Sequence, residues 1–313
     1  MNLIMRILKK VFRVAKHLKL ILKAIGYKKK IERIFSLNKI SYDCSSTVFN
    51  ISSLTKSKNK KLFYGREFFN TKSSFAHQKV YRAVSKDDHQ RLVFEQIDDN
   101  LLKREIPFYL RLEDLRPVAN NASELVIGVI ITKRRRAEDD KFVLSATQAI
   151  ISLNGNIIVG YTLFNTPNCI EKNWVQIASE PKFIYSLLPI QKLKLEFGES
   201  KVLELNPVES NTEIYRNSSN FLLDGEFYYG VGHAVLDMGI RNVYVHFFVR
   251  YSEIRREVHV SEFFYFSSLS NEFVMSCERS DDKLEIFFSN HANGNFKATT
   301  SLNDVKRIKW MPC

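Results

Sequence analysis

The feature that most constrains this chain is a series of short runs rich in Phe, Tyr, Val and Ile, each bounded by polar turn residues, running from about residue 45 to the end. Examples are "KLFYG", "RLVFEQI", "ELVIGVIIT", "NIIVGYTLF", "VYVHFFVRY", "EFFYFSSL" and "KLEIFFS". Their alternating or fully apolar character at close spacing reads as strands. "SLNGNIIV" and "LLDGEFYY" place Asn-Gly and Asp-Gly between two such runs, a hairpin signal. Strands of this number and spacing predict an all-β sandwich, barrel or propeller.

A polar cluster precedes a hairpin several times: "FNIS" at 49–52, "EDLR" at 113–116, "EKNW" at 171–174 and "YRNSSN" at 215–220. One polar knot per roughly four strands is the period of a propeller blade. The innermost strand of each blade faces the central channel, so such knots would converge on one mouth. No insertion is long enough for a second globular domain, and one domain is expected over 45–313.

The first 40 residues are different. They hold twelve Lys/Arg and one acid, Glu32, so this segment carries +11 of the chain's net +13. Ile4, Leu8, Val11, Ala15, Leu18, Leu22 and Ile25 recur in steps of three and four. At about 100° per residue they stay within roughly 100° of arc. Arg6, Lys9, Lys10, Arg13, Lys16 and Lys23 fall opposite, Leu20 is the exception, and Gly26 reads as a stop. A cation every three or four residues excludes a bilayer span and a secretory apolar region. Two readings remain: a helix lying on an anionic membrane surface through residues 1–30, or a helix packing its apolar face on the domain. Nucleic acid is not expected as a partner, because the body is nearly neutral. Four widely spaced cysteines give neither a zinc motif nor a disulfide framework and fit a reducing cytoplasm. No metal or cofactor is expected, and no Walker, GxGxxG, HExxH or GxSxG motif occurs. "RRR" at 134–136 reads as a solvated loop.

Phe49–Ser52 with "LFYGRE", Glu113–Arg116, "EKNW" with the following "FIYSLLP", and "RNSSNFLLDGEFYYGVGHAV" occur in an order that resembles a family group. So does the closing "KLEIFFSNHANGNFKATTSLNDVKRI". The resemblance is to five-bladed β-propeller carbohydrate-active enzymes, the mannoside phosphorylases and β-1,2-mannosyltransferases, and covers residues 47–310. Ile51 and Leu115 stand where that group has proline. The resemblance implies a five-bladed propeller, to which the amino-terminal amphipathic helix read above is added. It also implies a sugar donor and a glycan acceptor as partners, with one acid at the "ED.R" knot serving the glycosidic oxygen.

Asp114 is the expected general acid or base, since glycosyl transfer needs a carboxyl group at the leaving oxygen. The other reading of Glu113, Asp114 and Arg116 is a structural ion-pair knot. Arg66 offers a planar fork to a phosphate or carboxylate. Asn50, Glu171, Lys172, Asn173 and Arg216 are candidate contacts for donor phosphate or sugar hydroxyls. His233, beside Gly232, suits a place where backbone and ligand approach closely. Trp174 stacks on a sugar or fills a gap between blades. His246 reads as a strand residue, and Asp281-Asp282 as a turn. The combined expectation is a glycosyltransferase of cell-surface polysaccharide or glycolipid synthesis, peripheral at the cytoplasmic face of a membrane. The alternatives are a cytosolic glycoside phosphorylase or hydrolase, or a non-catalytic glycan-binding propeller.

Overall fold

The computed structural model describes residues 3–44, 46–57, 60–67, 78–85, 91–119, 124–135, 142–164, 173–177, 182–187, 190–196, 199–203, 215–239, 241–269, 271–290 and 292–313. The hairpin signals hold. Asn154 pairs with Ile157 around Gly155-Asn156, and Asp224 pairs with Phe227 around Gly225-Glu226. Gly155 and Gly225 both take φ of 61°, the left-handed conformation such a turn demands. Asp281-Asp282 forms the two-residue turn between Ser280 and Lys283. Arg134 and Arg135 end the strand Glu124–Arg135, exposed, instead of lying in a loop.

The strands form a propeller-like ring of antiparallel sheets in chain order. The first contains Val48–Ser57, Lys60–Glu67, Val80–Ser85 and Glu95–Gln96. The second contains Tyr109–Val118, Glu124–Arg135, Phe142–Asn154 and Ile157–Leu163. The third contains Val175–Gln176, Lys182–Leu187, Ile190–Glu196 and Glu199–Leu203. The fourth is larger. Its inner edge is split into Tyr215–Asn217 and Leu222–Asp224, followed by Phe227–Asp237, Asn242–Ser252, Glu257–Ser261 and the terminal Trp310–Pro312. The last joins Glu272–Ser280, Lys283–Asn290 and Gly294–Ser301 to Ser36–Lys39 from the other end of the chain. Tyr42–Asp43 and Leu92–Val93 make a further two-stranded sheet.

Among the described residues the regular four-stranded blades number four, one short of the five expected. Four sheets have the four-stranded blade form, and the remaining sheet has six strands because its inner edge is interrupted and the carboxy-terminal strand pairs on its outside. Polar ties link each sheet to the next. Ser52 Oγ donates to Leu115 O at 2.6 Å, Gln176 Nε2 to Ala119 O at 3.1 Å, and Asn217 Nδ2 to Ile184 O at 3.1 Å. Asn220 Nδ2 donates to Cys277 O at 2.8 Å, and Ser53 N to Ser276 Oγ at 2.9 Å. Such bonds satisfy buried polar groups where the sheets meet. Trp174 resolves to the gap-filling role: it is fully buried, 5.0 Å from Phe164, among Val118, Ile127 and Phe183.

The amino-terminal helix α1 spans Leu3–Ile34. Gly26 does not stop it, and Gly26 inside a helix costs about 1 kcal/mol relative to Ala. Packing supplies the compensation. His17, Ile21, Ala24, Tyr27 and Ile31 are buried against the fourth and last sheets, beside residues such as Leu236, Val243, Phe264 and Phe266. His17 Nδ1 lies 3.0 Å from the carbonyl of Asp237, and Lys28 Nζ donates to Ser267 O at 3.2 Å. Leu20 packs on this side, which explains its exception to the apolar stripe. Among the described residues no helix is long and apolar enough to cross a membrane.

Candidate active site

The polar knots depart from regular strand geometry, the first three at a left-handed residue. In the first sheet the register slips between Phe49 and Ser52, and Asn50 takes φ of 53°. In the second it slips between Glu113 and Arg116, and Asp114 takes φ of 51°. Asn173, in the third knot, takes φ of 68°. In the fourth, the N–H groups of Ser218 and Ser219 both donate to Val231 O. Extra residues in an inner strand re-aim side chains, and Asn and Asp tolerate the left-handed region better than other L-residues.

The bulges bring Asn50 and Asp114 together. Asn50 Nδ2 donates to Asp114 Oδ1 at 3.0 Å. Arg66, one residue from the end of its strand, places Nε 3.5 Å from Asp114 Oδ1 and Nη1 3.5 Å from Glu113 Oε1. These are ion-pair distances; the hydrogen bond of Arg66 goes from Nη1 to Gln78 Oε1 at 3.1 Å. Glu113 also accepts from Arg111 Nε at 2.7 Å. Asp114 is the more exposed of the two carboxylates, at 16% against 6% for its side chain. It is therefore the one that a ligand can reach.

On the other side of Asp114, Arg116 is buried and its Nε donates to Ser218 O at 3.2 Å. Its Nη1 is buried with no hydrogen-bond partner among the described residues, as is Asn50 Oδ1. Burial pushes the Arg116 pKa down, and the Asp114 carboxylate opposes that. A buried guanidinium with an unmatched N–H has an unmet demand for an anionic or hydroxyl acceptor. Ser218 Oγ lies 2.7 Å from His233 Nδ1. Burial, then His246, Arg216 and Arg116, push the His233 pKa well below the usual histidine range, so the ring is neutral at pH 7. The ring is held by Ser218 at Nδ1 and by a backbone hydrogen bond at Asn217.

Asn50, Arg66, Glu113, Asp114, Arg116 and His233 thus form one connected group. Arg216 sits opposite His233 in the strand register with its side chain exposed. Asn173 shares the left-handed knot geometry and is half-buried. Glu171 and Lys172 lie outside the described residues. His246 is the strand residue expected: it is fully buried, 3.6 Å from Glu272. Among the described residues no cluster of three His, Cys, Asp or Glu groups suits a metal ion.

Sequence reasoning missed Arg111, Ser218 and an aromatic pair. Arg111 stands two before Glu113, the spacing that puts both on one face of a strand. Tyr244 and Phe273 are half-buried with ring centroids 4.7 Å apart. Tyr244 also lies 5.8 Å from His233, and Phe273 lies 6.4 Å from Phe49, the neighbour of Asn50. Neither aromatic had a motif to mark it.

The two departures from the proline pattern are structurally absorbed. The Ile51 N–H donates to Ser289 Oγ at 3.3 Å, a bond proline could not make. Leu115 is buried over Gly128, where a Cβ would come within 2.8 Å of its Cδ2.

No protein-family model matches the chain, and no curated protein matches it by sequence. Solved structures do. A mannose phosphorylase from Leishmania mexicana, in complex with a phosphate ion, is 12% identical with a TM-score of 0.57, covering 95% of this chain and 97% of its own. A GDP-Man-dependent mannosyltransferase from Leishmania mexicana is 13% identical with a TM-score of 0.56, covering 92% and 98%. A β-1,2-mannobiose phosphorylase from Listeria innocua, in complex with β-1,2-mannobiose, is 11% identical with a TM-score of 0.52, covering 86% and 92%. Over almost its whole length, this chain has the propeller fold found in those mannose-active enzymes.

Proposed function

We propose that this protein is a glycan-active enzyme, a glycosyltransferase that moves a sugar from a phosphate-activated donor to a glycan acceptor at the cytoplasmic face of a membrane. The observation that carries the chemistry is Asp114, lifted on a left-handed bulge between Asn50 and Arg66, with buried Arg116 and neutral His233 beyond it. The acceptor hydroxyl oxygen attacks the anomeric carbon, and its proton passes to an Asp114 oxygen. The donor's anomeric C–O bond breaks, and its electron pair leaves with the phosphate. Arg116 supplies a donor for that departing charge, with the neutral His233 ring beside it. Asn50 and Arg66 fix the carboxylate by two contacts. The basic helix supports the membrane placement.

The unmatched Nη1 of Arg116 favours a second reading, phosphorolysis. There inorganic phosphate attacks and Asp114 returns its proton to the glycosidic oxygen. The same residues serve both directions. The comparisons support either, since one neighbour is a phosphorylase with phosphate and another a nucleotide-sugar-dependent transferase.

The test is Asp114→Asn, which keeps the shape and the tolerance of positive φ. Assayed against sugar nucleotides and sugar 1-phosphates with short mannoside acceptors, it should lose about 10²–10⁴-fold in turnover, the scale of one acid–base group, with unchanged melting temperature. Full activity in that variant removes Asp114 from the chemistry. Saturable glycan binding without turnover by the native protein makes it a binding module.

A further inference from the structure

Helix α1 has two apolar faces, and only one is used. The docked residues, His17, Ile21, Ala24, Tyr27 and Ile31, lie about 150° round the helix from the stripe of Leu8, Val11, Leu18, Leu22 and Ile25, at about 100° per residue. That stripe faces solvent: Val11 and Leu22 are 59% and 60% exposed, and Phe12 beside it is 73% exposed. Lys16, Lys19, Lys23 and Lys30, all exposed, form a row along one flank of the stripe. An exposed apolar stripe of this extent on a helix already braced by its other face has no role in the fold.

We propose that this stripe is a docking surface for an anionic lipid bilayer, and that docking holds the mouth of the propeller against the headgroups. Charge selects the occupant. A second copy laid on the stripe would bring two rows of lysines together, and nucleic acid has no use for the leucines. An anionic bilayer takes both: the apolar side chains enter the acyl boundary, and the lysines reach the headgroups. The direction follows from where the helix is anchored. His17 bonds Asp237, Arg13 pairs with Asp237 at 4.0 Å, and Val14 lies against Gly239 in the following hairpin. Asp237 is four residues beyond His233 on one strand, about 14 Å at the usual rise. The overhanging half of the stripe is therefore at the rim of the candidate site. This deepens the membrane placement above and names the acceptor class it serves, a glycan tethered to lipid. It does not depend on the chemistry of Asp114.

The experiment uses the full chain and vesicles of phosphatidylcholine, with or without 30% phosphatidylglycerol. Flotation with the anionic vesicles only is expected. The triple variant V11E/L18E/L22E, at exposed positions, should keep its circular dichroism and lose at least tenfold in partitioning. Asp114→Asn should float like the native protein, which separates this proposal from the catalytic one. Tryptophan placed by Phe12→Trp should be quenched by brominated lipids. Tryptophan placed by Ile254→Trp, 80% exposed in the turn at the other end of strand Asn242–Ser252, should not. No flotation, or a triple variant that floats equally, overturns the lipid surface. Self-association that the triple variant abolishes, in place of flotation, assigns the stripe to a second copy. Equal quenching at both tryptophans overturns the orientation.

Discussion

Replacing Lys61 with methionine should unlock the interface that closes the ring. Lys61 belongs to the first sheet, and its Nζ lies 2.8 Å from Glu285 Oε2 and 3.3 Å from Glu278 Oε2, both in the last. Its side chain is 9% exposed. Glu278 also accepts from the hydroxyls of Ser53 and Thr55, and Glu285 accepts from Lys297 Nζ at 2.8 Å. Two ammonium groups thus balance two carboxylates in a buried setting. Methionine conserves the length of the stem but leaves two buried carboxylates to one lysine. Removing one partner of a buried pair costs about 3–5 kcal/mol, a large part of the roughly 5–15 kcal/mol of a typical domain. Urea unfolding followed by circular dichroism at pH 7 should show that loss.

Acidity gives the same experiment a second reading. Burial pushes the Glu285 pKa up, but Lys61 and Lys297 outweigh it and the net value is lowered from 4.5. A depressed carboxylate contributes stability that is present above its unfolded pKa and is lost as pH falls through its folded one. The penalty of Lys61→Met should therefore be largest at pH 7 and shrink below about pH 4.5 as the native cluster itself protonates. A penalty under about 1 kcal/mol at pH 7 would refute the claim that this cluster holds the ring closed. So would a penalty that does not change with pH.

Two further outcomes can be measured on folding alone. Gly232→Ala should lower stability by about 1–3 kcal/mol in the same urea assay, because its Cβ would stand 2.5 Å from Phe247 Cζ in a packed core. Glu272 accepts from the N–H groups of Phe266, Ser267 and Ser268 and from Ser267 Oγ and Asn290 Nδ2. Burial raises its pKa, but His246 and these donors bring it down to about 2. Its contribution should be complete above pH 4.5 and disappear as pH falls through about 2, so acid unfolding of Glu272→Gln should be shallower than that of the native protein.

Much of the architecture was legible because strand alternation and Asn-Gly or Asp-Gly turns are local signals. The knots were legible for a related reason. A left-handed residue in or just before an inner strand is written as Asn50, Asp114 or Asn173, and such residues stand out in apolar surroundings. The six-stranded sheet was not legible, because Trp310–Pro312 pairs with Glu257–Ser261 through contacts no local pattern announces. Helix α1 was read with the right apolar stripe, but that stripe is the face left uncovered. The docking face is written in His17, Ala24 and Tyr27, residues too small or too polar to register as a hydrophobic period. At the site, Asp114 with Arg66 and Asn50 could be anticipated from the knots. The Arg116–Ser218–His233 chain could not, since its central link is a backbone carbonyl.

Strand Ser36–Lys39 has a consequence for the order of assembly. It pairs Ser36 with Thr299, so the last sheet is incomplete until these two distant segments meet. During synthesis this strand emerges long before its partner Gly294–Ser301 and must wait, unpaired, for it to follow. Long-range closure of this kind slows folding, since the entropy of the large loop is lost before the pairing repays it. The waiting segment is the four-residue run "SLNK", polar apart from Leu37, which makes it a poor template for pairing with other chains. A circularly permuted version opened between two blades, with residues 36–39 made directly after Ser301, should refold faster than the native order.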